Sequence, residues 1–309
     1  MMPPKVDVLE PAAPRACLTP SPGEPIRMPV ALLLLAKPGI VIAEMLAGVA
    51  GALLAAPSPS PSGLCLTILL IALGAGGAAM ANCLMEERAD RTMQRLSRRC
   101  RALESAGRRR VALLATVLSL AALLLAALVN PLTLLLLIAA SFVYIVVYTG
   151  WLKRRTPWSV LAGGIPGALP PLIGAAATGH QSAAPVVLAA MIYLWQLPHF
   201  WFLALHCRSQ YRLAGIPVLP LTHGEETTRS FTLLAVMALV PASLVLSSCA
   251  AHGRGLTLFL LVLALSFSLF SYDSLYRKSE YHRGFIGSLA YMAILLMVVI
   301  IGAIHGTVD

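Results

Sequence analysis

Apolar residues run along this chain for about twenty positions at a time, and polar residues gather between the runs. The first sustained run follows Lys37-Pro38-Gly39 and ends near Ala56. Proline fits the first turn of a helix, where its missing N–H costs no bond, so a helix is predicted from Pro38. The shorter apolar segment Met28 to Ala36 is predicted to lie along a membrane interface. Eight further runs fall at roughly 64–85, 110–129, 132–149, 158–178, 184–206, 230–250, 255–272 and 285–304. As helices, each has the length needed to cross the hydrocarbon core. The expected fold is all-α and integral to the membrane, a bundle of nine transmembrane helices. Segment 158–178 carries Gly163, Gly164, Pro166, Gly167, Pro170 and Pro171. A bundle tolerates these residues, because neighbours satisfy freed backbone groups and small side chains let helices approach. Residues 1–27 are polar and proline-rich, without a signal-peptide pattern. They are expected to form a flexible cytoplasmic tail, leaving 28–309 as the transmembrane domain.

Composition agrees with the pattern: 58% of residues are hydrophobic, 12% are charged and the mean hydropathy is +0.82. The net charge of +10 would suit nucleic acid, but its placement argues against that partner. Of 23 Lys and Arg, 22 lie in the N-terminal tail, at Lys37, or in the loops after the second, fourth, sixth and eighth runs, leaving Arg254 for the other side. Basic loops stay cytoplasmic, which predicts an inward N-terminus and an outward C-terminus. Six cysteines without a C-x-x-C pair signal neither a disulfide framework nor a zinc site.

The cytoplasmic loops are also where side chains capable of chemistry gather, whereas Glu44 is the one acidic residue well inside a span. An enzyme opening on the cytoplasmic face fits this better than a carrier with a through-path. If the second helix continues past the membrane, Asn82, Glu86 and Asp90 stand at i, i+4 and i+8, on one face about 12 Å long. Carboxylates so spaced suit Mg²⁺, which bridges hard oxygen ligands to phosphate, and the arginines that follow suit a diphosphate. The charges alone are better described as a solvated juxtamembrane face. Lys153-Arg154-Arg155 is either a topology signal or a receiver of diphosphate charge. On a helix His199 shares a stripe with Trp195, Phe202 and His206. Such a histidine is either a hydrogen-bonded interior residue or a ligand suited to a haem plane.

Several stretches together resemble the protohaem IX farnesyltransferases (haem O synthases) of the UbiA prenyltransferase superfamily. They are Tyr148-Thr-x-x-Leu-Lys-Arg-Arg-Thr156, Gly167-Ala-x-Pro-Pro-Leu-Ile-Gly174, Trp195-Gln-x-Pro-His-Phe200 and Ala214-Gly-Ile-Pro-x-Leu-Pro220. The likeness runs from Lys37 to the ninth helix. It implies a UbiA-type bundle with cytoplasmic cap loops in a bacterial inner membrane. It also implies transfer of a farnesyl group from farnesyl diphosphate to a vinyl carbon of haem b, with Mg²⁺ as cofactor. On this resemblance Asn82, Glu86, Asp90, Lys153 and Arg154 are the catalytic candidates, with Glu86 and Asp90 holding the metal. Lys37, Arg155, Trp195, His199, Gln210 and Tyr211 are the binding candidates. Haem A synthase or oxidase subunits are the implied partners. The chain departs from the pattern at Glu86, Arg88 and Gln210, where the family usually has Asp, and at Cys100, usually proline. Glu86 can still ligate a metal, and Glu87 is a possible stand-in at the position Arg88 has lost. Two other readings stay open: a UbiA-type enzyme with another donor or acceptor, and a non-catalytic haem-binding paralogue.

Overall fold

The computed structural model describes residues 26–56, 58–250 and 254–305. The expected tail lies outside these, except that the Ile26 amide donates to the Ser105 hydroxyl at 3.2 Å. Helix α1 (Met28–Leu35) leads into Lys37, whose φ of 54° is left-handed, and then into α2 (Pro38–Ala55). A non-glycine residue there is uncommon and costs about 1–3 kcal/mol, a strain typically found at functional positions. Ser60 caps α3 (Pro61–Asp90) by accepting from the Gly63 amide at 3.1 Å. With 30 residues, α3 is about 45 Å long and outreaches the hydrocarbon by several turns. A 3₁₀ turn (Gln94–Leu96) and α4 (Ser97–Ala106) then fold back to pack against α1.

The antiparallel pair α5 (Arg108–Val129) and α6 (Pro131–Phe142) meets at Asn130, whose side chain accepts from Thr133 N–H at 2.8 Å. The fourth span continues from α6 as a π-helical stretch, Val143–Leu152. The fifth is broken in two, α7 (Ser159–Ala168) and α8 (Pro170–Ala177), where consecutive prolines withdraw backbone donors. Next come α9 (Ala183–His206), the short α10 (Arg208–Leu213) and α11 (Leu219–Thr222), then α12 (Glu225–Cys249). The last two spans are α13 (Arg254–Tyr272), extended by a π turn (Asp273–Arg277), and α14 (Tyr281–His305). Among the described residues nine helices are long and apolar enough to cross a membrane, as expected from the runs.

Large apolar side chains face outward, as they do where lipid is the solvent; Leu128 is 85% exposed. Inside, small residues set the spacing. A Cβ added at Gly174 would lie 1.9 Å from the Gly48 carbonyl oxygen, and one at Gly51 would lie 2.1 Å from that of Pro171. So α2 and α8 cross backbone to backbone. The segments after α3 and after α9 contribute Arg95, Arg99, Tyr211 and Ile216 to the lining of the central cavity.

Candidate active site

A cavity of about 420 Å³ opens where α3 leaves the bundle, walled by α2, α3, the π-helical stretch, α7, α8 and α9. Its inner lining is apolar and small, including Ile71, Gly74, Ala75, Leu137 and Ile173. Its mouth is ionic. Asn82, Glu86 and Asp90 line it from three successive turns of α3, and all three are buried. Glu86 pairs with Lys153, and Asp90 with Arg99. The Lys37 ammonium donates to Asn82 Oδ1 at 2.5 Å and to the Tyr144 hydroxyl at 3.4 Å. Asn82 in turn donates from Nδ2 to Thr149 Oγ1 at 3.0 Å, so one amide ties α2, α3 and the π-helical stretch together.

The π geometry explains how one strand of chain supplies so much of this wall. Adding a residue per turn brings Lys153, whose amide donates to the Tyr148 carbonyl at 2.9 Å, beneath that tyrosine. The Tyr144 and Tyr148 rings stack with centroids 6.1 Å apart, and Lys153 Nζ lies 5.3 Å from the Tyr148 centroid. Gly163 leaves the space that the Tyr148 ring fills, since a Cβ there would sit 2.8 Å from it. Burial, helped by the Arg99 and Lys153 charges, pulls Lys37 down to about 8. Burial also opposes charge on Lys153, but Tyr148 and Glu86 outweigh it and hold that pKa above the ordinary lysine value.

The cap adds a fourth cation. Arg95 lines the mouth, donates to the Tyr211 hydroxyl at 2.9 Å and lies 5.0 Å over that ring. The cavity therefore holds four cations (Lys37, Arg95, Arg99, Lys153) against three carboxylates (Glu44, Glu86, Asp90).

Of the residues singled out in the sequence, Lys37, Asn82, Glu86, Asp90, Lys153, His199 and Tyr211 line this cavity. Others do not. Arg154 turns out of it and reaches the Met85 carbonyl at 3.4 Å, and Arg155 is exposed. The π-helical stretch ends at Leu152, and of the three cations in the turn that follows only Lys153 lines the cavity. Gln210 stands outside the lining and accepts from the Arg95 amide at 3.4 Å. Glu87 stands outside the lining and pairs with Arg91 and Arg108. Sequence reasoning did not single out Tyr144, Tyr148, Arg95 or Arg99 individually. The Thr-Gly-Trp-Leu-Lys spacing carried no visible π signal, and nine cations in one loop gave no way to rank them.

Trp195 does not line the cavity but packs behind His199, whose ring is stacked between Trp195 and Phe285 at 4.7 Å from each. Ser288 accepts twice from this pair: its carbonyl from Trp195 Nε1 at 2.8 Å, and its hydroxyl faces His199 Nδ1 at 2.7 Å. The same hydroxyl donates to the Phe285 carbonyl at 2.6 Å, and a carbonyl can only accept. Nδ1 must therefore carry the proton. In the neutral ring Nε2 keeps a lone pair, and among the described residues it has no protein partner. His206, one of the stripe, packs instead against His282, with centroids 4.8 Å apart.

Such a site, a cationic mouth over a lipid-like cavity within nine helices, is that of a membrane enzyme for a substrate with an anionic head and an apolar tail. Residues 45–306 match the model of the UbiA prenyltransferase family, and the chain belongs to that family. It is 43% identical over 241 residues to a protohaem IX farnesyltransferase of Geotalea uraniireducens, covering 77% of this chain and 92% of that protein. It is 38% identical over 274 residues to a protohaem IX farnesyltransferase of Pseudomonas fluorescens, covering 86% and 91%. Among solved structures, one described for digeranylgeranylglyceryl phosphate synthase superposes with a TM-score of 0.74 at 17% identity, covering 91% of this chain and all of that one. A UbiA homologue from Archaeoglobus fulgidus, bound to DMAPP and Mg²⁺, gives 0.66 at 16% identity, covering 87% and 98%. At these identities the structures speak for the fold alone.

Proposed function

We propose that this protein transfers the farnesyl group of farnesyl diphosphate to a vinyl carbon of haem b, giving haem O. The observation that carries the reading is the cavity itself. It joins four cations to an apolar, small-residue lining and sets a histidine with a free Nε2 in the wall between them. Lys37, Lys153, Arg95 and Arg99 hold the diphosphate and meet the charge it gains on leaving. The inner lining takes the isoprenoid and keeps bulk water from the allylic cation. His199 faces the porphyrin. Support for this acceptor comes from the curated relatives, whose names specify protohaem IX and a farnesyl donor.

Magnesium suits the donor set. Among the described residues no three His, Cys, Asp or Glu side chains are placed to hold a metal by themselves. Mg²⁺, however, keeps several waters and needs one or two carboxylates beside phosphate oxygens. Glu86 and Asp90, one turn apart in the same lining, are those two. When bound, the ion neutralises diphosphate charge and makes it a better leaving group. Glu86 and Asp90 would hold it, and in its absence they are engaged by Lys153 and Arg99. Asn82 stays a neutral hydrogen-bonding bridge.

The test is mass spectrometry of the haems in a host lacking haem O synthase and expressing this chain. Haem O in the membranes is the expected result. Its absence, with bound haem b in the purified protein, would support the non-catalytic reading instead. On the proposed topology the site opens on the cytoplasmic face of a bacterial inner membrane, where both substrates are met.

A further inference from the structure

Glu44 is a carboxylate in the cavity that no cation holds. Glu86 and Asp90 are engaged by Lys153 and Arg99. Glu44 lines the same cavity, and among the described residues it has neither an ion pair nor a hydrogen bond. It stands six residues into α2 from Pro38, a rise of about 9 Å along the helix. That is one layer below the ionic mouth, where the lining turns apolar at Ile71, Gly74, Ala75, Leu137 and Ile173. An acidic side chain in such surroundings is costly and is kept where function uses it.

Resting on the function proposed above, we infer that Glu44 is a catalytic residue: it takes the proton from the water that completes the haem substituent. Departure of diphosphate takes the C1–O electron pair and leaves an allylic cation on the farnesyl chain. The vinyl π pair then forms the bond from its terminal carbon to C1, and the positive charge moves to the carbon joined to the macrocycle. A lone pair of water forms the C–O bond at that carbon. Its O–H electrons stay on oxygen, and the proton passes to the Glu44 carboxylate. The sum is farnesyl diphosphate, haem b and water giving haem O, diphosphate and one proton, with no oxidant or reductant. Before it accepts the proton, the same carboxylate faces both cations at the depth where they form. The departing diphosphate is the competing base, but it sits at the mouth, a layer away.

The experiment compares wild-type protein with Glu44→Gln and Glu44→Asp, purified and supplied with haem b and farnesyl diphosphate. Products are read by mass spectrometry, and farnesyl diphosphate binding is measured separately on each variant. Glu44→Gln should bind the donor as wild type does, with KM for it unchanged and kcat lowered about 100-fold, the scale of a lost general base. Part of its farnesylated haem should be lighter than haem O by one water, as the second cation loses a proton instead of being hydrated. Glu44→Asp should recover part of the rate and the hydrated product. Haem O formed by Glu44→Gln at the wild-type rate would assign the proton to diphosphate and overturn the proposal. Loss of donor binding together with activity would make Glu44 structural and overturn it equally. If wild-type protein makes no haem O, the function itself fails, and this proposal with it.

Discussion

Replacing Lys153 by methionine tests whether the ion pairs at the mouth are machinery or scaffold. Lys153 is 17% exposed at its side chain and Glu86 9%, so the substitution leaves a carboxylate without its partner in a poorly solvated wall. Breaking a buried pair from one side costs about 3–5 kcal/mol, and the residual exposure of both side chains argues for the lower end here. The cation's share in meeting leaving-group charge is a separate quantity, about 100- to 1,000-fold in rate for one well-placed electrostatic contact. A cycle with Glu86→Gln separates the two. The double variant has no unpaired charge and should regain most of the lost stability, read as the midpoint of thermal aggregation in detergent. It should not regain haem O formation, read by mass spectrometry at matched membrane levels in the synthase-deficient host. Recovery of both stability and haem O by the double variant would refute the reasoning, because the pair would then serve only to hold the fold.

Four further outcomes are expected. Asp90→Asn should eliminate haem O formation while donor-independent haem binding persists, checked by the product assay and by the absorbance of purified protein. Lys37 must be charged to hold diphosphate and sits at about 8, against an ordinary 10.5, because burial disfavours the ammonium; kcat/KM should therefore fall as pH rises past 8, and Lys37→Arg should abolish that limb. The unfolded chain binds the extra proton between those two values, so this lysine makes stability rise with pH across the window. Ser288→Ala should free the His199 ring and weaken haem binding about 10- to 100-fold, with a changed Soret band that Ser288→Thr restores; an unchanged spectrum would remove iron ligation from His199's role. Reporter fusions after Ala56 and Gly179 should read as external and one after Arg99 as cytoplasmic, since 22 of 23 cations lie on one set of loops.

The spans and the acidic face were legible because each has a period. Twenty apolar residues bounded by polar loops leave little choice of structure in a membrane, and i, i+4, i+8 spacing puts Asn82, Glu86 and Asp90 on one helical face wherever the helix lies. What stayed hidden depends on departures from the period or on distant partners. The extra residue per turn in Val143–Leu152 decides that Lys153 faces the cavity while Arg154 and Arg155 do not. The break between α7 and α8 was not anticipated, since Pro170 and Pro171 read as residues tolerated within one span, nor was the backbone contact of Gly174 with Gly48, which joins residues 126 positions apart. Arg99 looked like one of nine basic residues in a loop, and only the return of α4 under α1 brings it to Asp90.

The charge arrangement also explains how such a mouth survives at a membrane surface between turnovers. Four cations and three carboxylates leave the cavity with a net charge of +1. Two of the carboxylates are neutralised by dedicated partners, so little isolated charge remains for the protein to stabilise. A prenyl diphosphate with one Mg²⁺ carries about one negative charge, which is the complement the site lacks. On the proposed function, Glu86 and Asp90 would hold the metal while Lys153 and Arg99, released from them, would turn toward phosphate. Glu86 and Asp90 would then keep a partner before and after. On this account Glu86, with its longer side chain than the aspartate usual in the family, is suited to reaching Lys153 in one state and the metal in the other. Its replacement by Asp should therefore loosen the unliganded protein more than it slows the reaction.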